Sequence, residues 1–224
     1  MSTRLLPFRD YSEHNVIGIF ANTNVDDNPD TNGNGSAGVF VKVISGDLNR
    51  DVIEYGTAAY LGKTNYPFVG AAQYPEVPLR VGAATTGVHC LGVTLKQTLA
   101  YDENAEKLIY HTVKRDELNA LVSGQAGPVL SRGLVTLAAT AYDDDANNTF
   151  TIGNAMVISA TAGKVTGVAP SAMGGKTVVG TILATGSRTS QTTDSDYYVG
   201  TGSANYALVQ LDCAANYAGT NASN

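Results

Sequence analysis

Several short segments set residues at spacings that could do chemistry. Gly33-Asn34-Gly35-Ser36-Ala37-Gly38 matches G-x-G-x-x-G. That pattern binds dinucleotides when a strand precedes it and a helix N-terminus follows to hold the pyrophosphate. Here a polar loop precedes it and a strand-like run follows, so it reads as a turn. Gly56-Thr57-Ala58-Ala59-Tyr60-Leu61-Gly62-Lys63-Thr64 has one residue too many between its glycines to curve backbone N–H groups around a phosphate. Gly174-Gly175-Lys176-Thr177 has Pro170 where the upstream glycine belongs, and it too reads as a turn. Asn28, Asp30, Asn32 and Gly33 imitate the opening of a calcium loop, yet the twelfth position is Val39 where a bidentate Glu is needed. For that loop and for Asp143-Asp144-Asp145, solvated turns are the main reading and a weak cation site the alternative.

His14, His89 and His111 are far apart, and no H-x-x-x-H or C-x-x-C spacing occurs. His89 and Cys90 are neighbours on an expected strand, where successive side chains point to opposite faces. They cannot serve each other as base and nucleophile. No G-x-S-x-G elbow presents a serine. Cys90 and Cys213 lie 123 positions apart. Residues 1–10 lack a secretory h-region, so reduced, buried thiols are expected over a disulfide. No metal or cofactor is expected, and the chain reads as a non-enzyme.

What would position any such group is a β scaffold. Gly133-Leu134-Val135-Thr136-Leu137, Thr149-Phe150-Thr151-Ile152, Ala155-Met156-Val157-Ile158-Ser159, Lys164-Val165-Thr166, Thr177-Val178-Val179-Gly180-Thr181-Ile182-Leu183 and Tyr206-Ala207-Leu208-Val209-Gln210-Leu211 are short apolar runs cut by Gly, Asn and Asp. β-Branched residues at two-residue spacing between turn residues are what antiparallel strands need. Val39-Phe40-Val41-Lys42-Val43-Ile44 is a further strand. Residues 88–99 and 108–113 suggest a hairpin turning at Asp102-Glu103-Asn104-Ala105-Glu106. One helix is expected over residues 114–122, with Leu118, Leu121 and Val122 on one face and Gly124 as its stop. No period of 20–50 residues signals a solenoid or propeller.

Residues 1–24 carry large apolar side chains, Leu5, Leu6, Phe8, Tyr11, Val16, Ile17 and Phe20 among them, with Pro7 and Gly18 interrupting any long helix. Such a segment is either a first strand tucked into the core or an arm that packs on a neighbouring subunit. The expected organisation is an extended N-terminal arm (1–24), a β-rich body (25–212) with two candidate lobes at about 36–113 and 125–212, and a loose tail (213–224). Residues 22–38 form a polar, turn-rich loop too poor in apolar area to order by itself. The fold class expected is all-β, mainly antiparallel and barrel- or sandwich-like, with one short helix.

A net charge of −6 and only 14 scattered Lys and Arg argue against a nucleic-acid grip. No apolar run approaches the roughly 18 residues that span a bilayer. Charged residues are 15% of the chain, under the usual ~25%, and there are 24 glycines. A low-charge surface of small residues suits contact with other protein surfaces.

The middle and later segments carry a family resemblance. Leu91-Gly92-Val93-Thr94-Leu95, Tyr101-Asp102-Glu103-Asn104-Ala105-Glu106-Lys107-Leu108-Ile109-Tyr110, Gly124-Gln125-Ala126-Gly127-Pro128-Val129-Leu130-Ser131-Arg132-Gly133-Leu134-Val135-Thr136-Leu137, Gly163-Lys164-Val165 and Val179-Gly180-Thr181-Ile182-Leu183 resemble virion structural proteins of tailed bacteriophages, cyanophages included. They are similar to capsid decoration, or cement, proteins over roughly residues 85–212. The resemblance implies a β-rich homotrimer made in the host cytoplasm that joins the outer capsid surface of the virion. Its partner there would be the major capsid protein, bound between capsomers without catalysis. The seven apolar residues of the arm are the candidate partner-binding set on physical grounds. The alternative function is a tail or fibre adhesin that binds host surface glycan.

Overall fold

Three consecutive residues, Val39, Phe40 and Val41, are fully buried, and they are buried in two different places. Val39 and Val41 pack with Val81 and Val129, whereas Phe40 joins a larger cluster with Leu5, Val93, Leu130, Leu137 and Ile182. Alternation along a strand sends neighbours to opposite faces, so a continuous apolar run means both faces are covered. Val129 and Leu130 divide between the same two clusters. The fold that results is a small barrel with a sheet laid against its outside.

The computed structural model describes residues 4–31, 33–46, 79–144, 149–188 and 204–213. In chain order the strands are β1 (Leu5–Asp10), β2 (Val16–Asn22), β3 (Phe40–Gly46), β4 (Leu79–Ala83), β5 (Gly92–Thr94), β6 (Gln97–Thr98) and β7 (Ala120–Leu121). They continue as β8 (Ala126–Leu130), β9 (Arg132–Ala138), β10 (Tyr142–Asp143), β11 (Ala155–Ile158), β12 (Val165–Val168), β13 (Val178–Arg188) and β14 (Ala204–Asp212). One α-helix, α1, covers Thr112–Glu117. Strands β2-β4-β3-β5-β8 close into a barrel, and β1-β9-β14-β13-β11-β12-β10 form a seven-stranded sheet. Strands β6 and β7 pair separately. Most pairings are antiparallel; β2 with β4, β10 with β12 and β6 with β7 are parallel.

The all-β, mainly antiparallel reading with one short helix therefore holds, and the extended arm does not. Over residues 4–24 the described chain is built into the fold. Strand β1 pairs with β9, Leu5 opposite Leu137, and β2 closes the barrel between β4 and β8. Burying an apolar side chain contributes about 1.5–3 kcal/mol. Leu5 and Ala21 are buried there, and backbone pairing along both strands holds the rest of the segment in place.

The helix is shorter and earlier than the pattern suggested. Asn119 adopts a left-handed conformation (φ 48°) two residues after α1 ends, and the chain turns into β7. Asn tolerates this region better than most residues. Leu118, Leu121 and Val122 are buried as their spacing implied, but a strand and its approach carry them. The expected hairpin over residues 88–113 is replaced by the short strands β5 and β6, the expected turn near Asp102, and a turn leading into α1. There Leu99, Leu108, Leu118, Ala120 and Val122 make a satellite cluster. Residues 149–152 form no strand, although Phe150 is buried. The segment Gly56 to Thr64, Asn32, Asp145 and the tail beyond Cys213 lie outside the described residues.

Barrel and sheet are not two lobes strung along the chain. The larger cluster draws on both, from Phe40, Val93 and Leu130 on the barrel wall to Val135, Ile182 and Val209 on the sheet. Their two direct chain crossings meet at Ser131, the one residue between β8 and β9. Its backbone N–H and its hydroxyl both donate to the Asn15 carbonyl (2.9 Å each), in the link from β1 to β2.

Candidate functional site

The outer edge of β1 has no partner strand among the described residues. Leu5 and Arg9 oppose Leu137 and Val135, so residues 6–8 form an irregular bulge in the register. Pro7 sits inside it. Proline lacks the N–H a ladder needs and is confined to bulges and edges. The bulge turns Phe8 outward, 68% exposed, while Leu5 is 1% exposed in the core. Of the other candidate anchors, Tyr11 and Val16 pack half-buried against the larger cluster and Phe20 against the barrel cluster. Leu6 and Ile17 are half-buried in their strands. The structure thus does not gather the seven into one binding face, and Phe8 is the one that stands free. Ile19, Val113 (74% exposed) and Ile152 (63% exposed) are further projecting apolar side chains that sequence reasoning did not single out as a surface. Residue type alone does not tell an exposed isoleucine from a buried one.

A cleft of about 400 Å³ opens beside the sheet. Its walls are the loop before β5 (Thr86, Val88), the end of β11 (Ser159), Thr166 of β12, and the Gly174-Gly175-Lys176-Thr177 turn. That turn needs its glycines, because both have positive φ (38° and 78°). The phosphate-loop look-alike is therefore a surface turn that borders a cavity. Lys176 is the single ionisable group among the described lining residues. Hydroxyls, an ammonium and backbone can hydrogen-bond a polar ligand there, but they include no general base. A second space, at the barrel mouth, is only about 10 Å³, because valines fill the interior.

Beneath the cleft Ser159 is already committed. Its hydroxyl donates to Asp143 and accepts the Thr161 N–H, and Lys164 Nζ lies 3.1 Å from Asp143 Oδ1. Burial pushes the Asp143 carboxyl up, but hydrogen bonds from Ser159, Thr161 and Lys164 and the Lys164 charge outweigh it and hold the pKa below the ordinary value. A carboxylate kept ionised in this way is a poor proton acceptor, so Asp143 is ill suited to activate Ser159. Neighbouring Asp144 accepts the Phe150 N–H, and Phe150 stacks on Tyr142 with centroids 4.2 Å apart. Burial, with the Asp144 charge, raises the Tyr142 hydroxyl to about 12.

The polar loop is ordered by a buried carboxylate that its composition did not reveal. Asp26 accepts the Gly35 N–H (3.1 Å) and the Ser36 hydroxyl (2.9 Å). A Cβ on Gly33 would stand 2.1 Å from Asp26 Oδ1, and one on Gly35 would stand 2.6 Å from the Asp26 nitrogen. The glycines of the dinucleotide look-alike do serve close approach to an anion, but the anion is the chain's own side chain. Buried Arg4 feels Asp26 and Asp143; burial lowers its pKa, and the two carboxylates oppose that. In the calcium-loop look-alike, Asn28 Oδ1 accepts the backbone N–H groups of Asp30 and Thr31 (3.1 Å each), which makes it a turn cap.

The histidines remain apart. His14, His89 and His111 are exposed, and His111 faces Glu106 at 3.7 Å. His89 and Cys90 alternate outward and inward, as their strand-like spacing implied. No described group of three or more His, Cys, Asp or Glu is placed to hold a metal ion. Both cysteines are buried and unbridged. No family model, curated protein or solved structure matches this chain.

Proposed function

We propose that this chain is a structural protein of a tailed-phage virion, a decoration or cement subunit that binds the outer shell between capsomers and reinforces it without catalysis. The observation that carries the reading is Phe8, a large aromatic side chain held out in solvent by a proline-containing bulge on an edge strand. A free phenyl ring on a rigid edge is the kind of anchor that dominates protein interfaces. Proline and the bulge also blunt the edge against indiscriminate strand addition, so binding would run through side chains. The sparse charge and the resemblance of residues 85–212 to decoration proteins support the same reading. The partner is the major capsid protein, and a trimer would multiply each anchor through effective concentration.

The test compares the protein with its Phe8→Ser variant for co-sedimentation with phage heads stripped of decoration. The expected result is an unchanged circular dichroism spectrum and unfolding midpoint, with affinity for heads lower by roughly 10–100-fold, the equivalent of one lost apolar anchor. Equal binding by both forms would remove Phe8 as the anchor. Absence of the protein from purified particles would remove the reading altogether. Binding to a glycan array with indifference to heads would favour the adhesin reading, for which the hydroxyl-lined cleft beside Lys176 is the supporting feature.

A further inference from the structure

The chain's only two cysteines, 123 residues apart, belong to the same core cluster. A short path of contacts joins them. Cys90 Sγ lies 3.5 Å from the Gly92 carbonyl oxygen in β5. Gly92 is pressed so closely on β8 that a Cβ would stand 2.2 Å from the Leu130 carbonyl. The next residue, Ser131, accepts the Cys213 N–H at 3.0 Å. The Cys213 thiol in turn reaches the Val179 carbonyl (3.7 Å), and the neighbouring Cys90 thiol together with burial pushes its pKa well up.

We infer that Cys90 and Cys213 form a site for covalent cross-linking, a latent disulfide that fastens the barrel to the last strand of the sheet. The co-reactant is a low-molecular-weight disulfide. One cysteine thiolate attacks it, releasing one small thiol and leaving a mixed disulfide. The second cysteine thiolate then displaces the other small thiol. Two protein thiols and one small disulfide become one protein disulfide and two small thiols, so atoms and electrons balance. Neither thiol is accessible in the closed fold. The exchange therefore takes place while the chain folds or opens locally, and a reducing compartment keeps the pair as thiols. The inference does not depend on the partner proposed for Phe8. Two thiols held together by the fold exchange as one unit, whereas in the unfolded chain they must find each other across a long loop.

The test equilibrates the full chain in buffers of reduced and oxidised glutathione, once under native conditions and once in concentrated urea. Acid quenching and intact-mass measurement then separate free thiols, internal disulfide and glutathione adducts. The expected result is an internal disulfide, lighter by two hydrogens, whose effective concentration is at least about 30-fold higher in native buffer than in urea, the ratio that matches typical disulfide stabilisation. An equal or lower value in native buffer, or single-cysteine glutathione adducts as the main oxidised species, would overturn the assignment. The Cys90→Ser variant is expected to lose the internal product while Cys213 still takes an adduct in urea.

Discussion

The barrel draws its strands from residues 16 to 130, spread across more than half the chain, whereas six of the seven sheet strands follow one another between residues 132 and 212. The barrel closes through a parallel pairing of β2 with β4 and the late return of β8. Its interior is a plug of four buried valines, and its wall on one side doubles as the floor of the larger cluster. In the sheet, β13 and β14 run as a long antiparallel pair with β9 beside them. Non-local closure is entropically slow to form and rests on few side chains, while sequential antiparallel pairing is favoured locally. The two halves are thus unequal in how they are made, yet they share one core.

The largest expected effect tests that sharing. Phe40 is fully buried where barrel wall meets sheet. Phe40→Ala is expected to lower unfolding stability by about 3–5 kcal/mol, measured by urea denaturation. One cooperative transition at a lower midpoint is expected, and a biphasic curve would show two separable units. A smaller effect, confined to barrel closure, is expected from Gly92→Ala. The added Cβ would collide with the Leu130 backbone, and overpacking of this kind costs about 1–3 kcal/mol. Hydrogen exchange should rise across β5 and β8 and stay unchanged in β13 and β14. Uniform loss of protection would contradict the asymmetry.

The smallest effect is electrostatic and lies on the sheet side. The folded pKa of Asp143 is below its ordinary value of 3.8, so its contribution to stability is present above that pH and is lost as pH falls through the lower folded value. Asp143→Asn should therefore flatten the acid limb of the stability curve below about pH 5 and leave its slope near neutrality unchanged. Parallel acid limbs for the two forms would show that Ser159 and Lys164 do not hold this carboxylate.

Legibility in the sequence follows the same division. Strands β9, β11, β12, β13 and β14 all lie on the apolar runs that alternation and glycine spacing marked. Strand β3 is equally plain, because Val39 to Val41 is apolar on both faces. Strands β5, β6 and β7 have only two or three residues each, too few for any period to show, so residues 88–122 read as a hairpin and a longer helix. The arm assigned to residues 1–24 has the composition of an edge strand and a barrel strand; only the partners β9 and β8, more than a hundred residues away, decide between those states. Asp26 was hidden for a related reason. A buried aspartate looks like any loop aspartate until Gly33 and Gly35 are seen folded around it.

The seam at Ser131 has a mechanical consequence. One residue separates the last barrel strand from the first long sheet strand, and its two bonds to Asn15 tie that junction to the other direct crossing of the chain. Tension applied at the β1 margin would travel through covalent backbone and paired ladders into the barrel, without a slack tether along the way. A chain wired like this passes load directly between the β1 margin and the barrel wall.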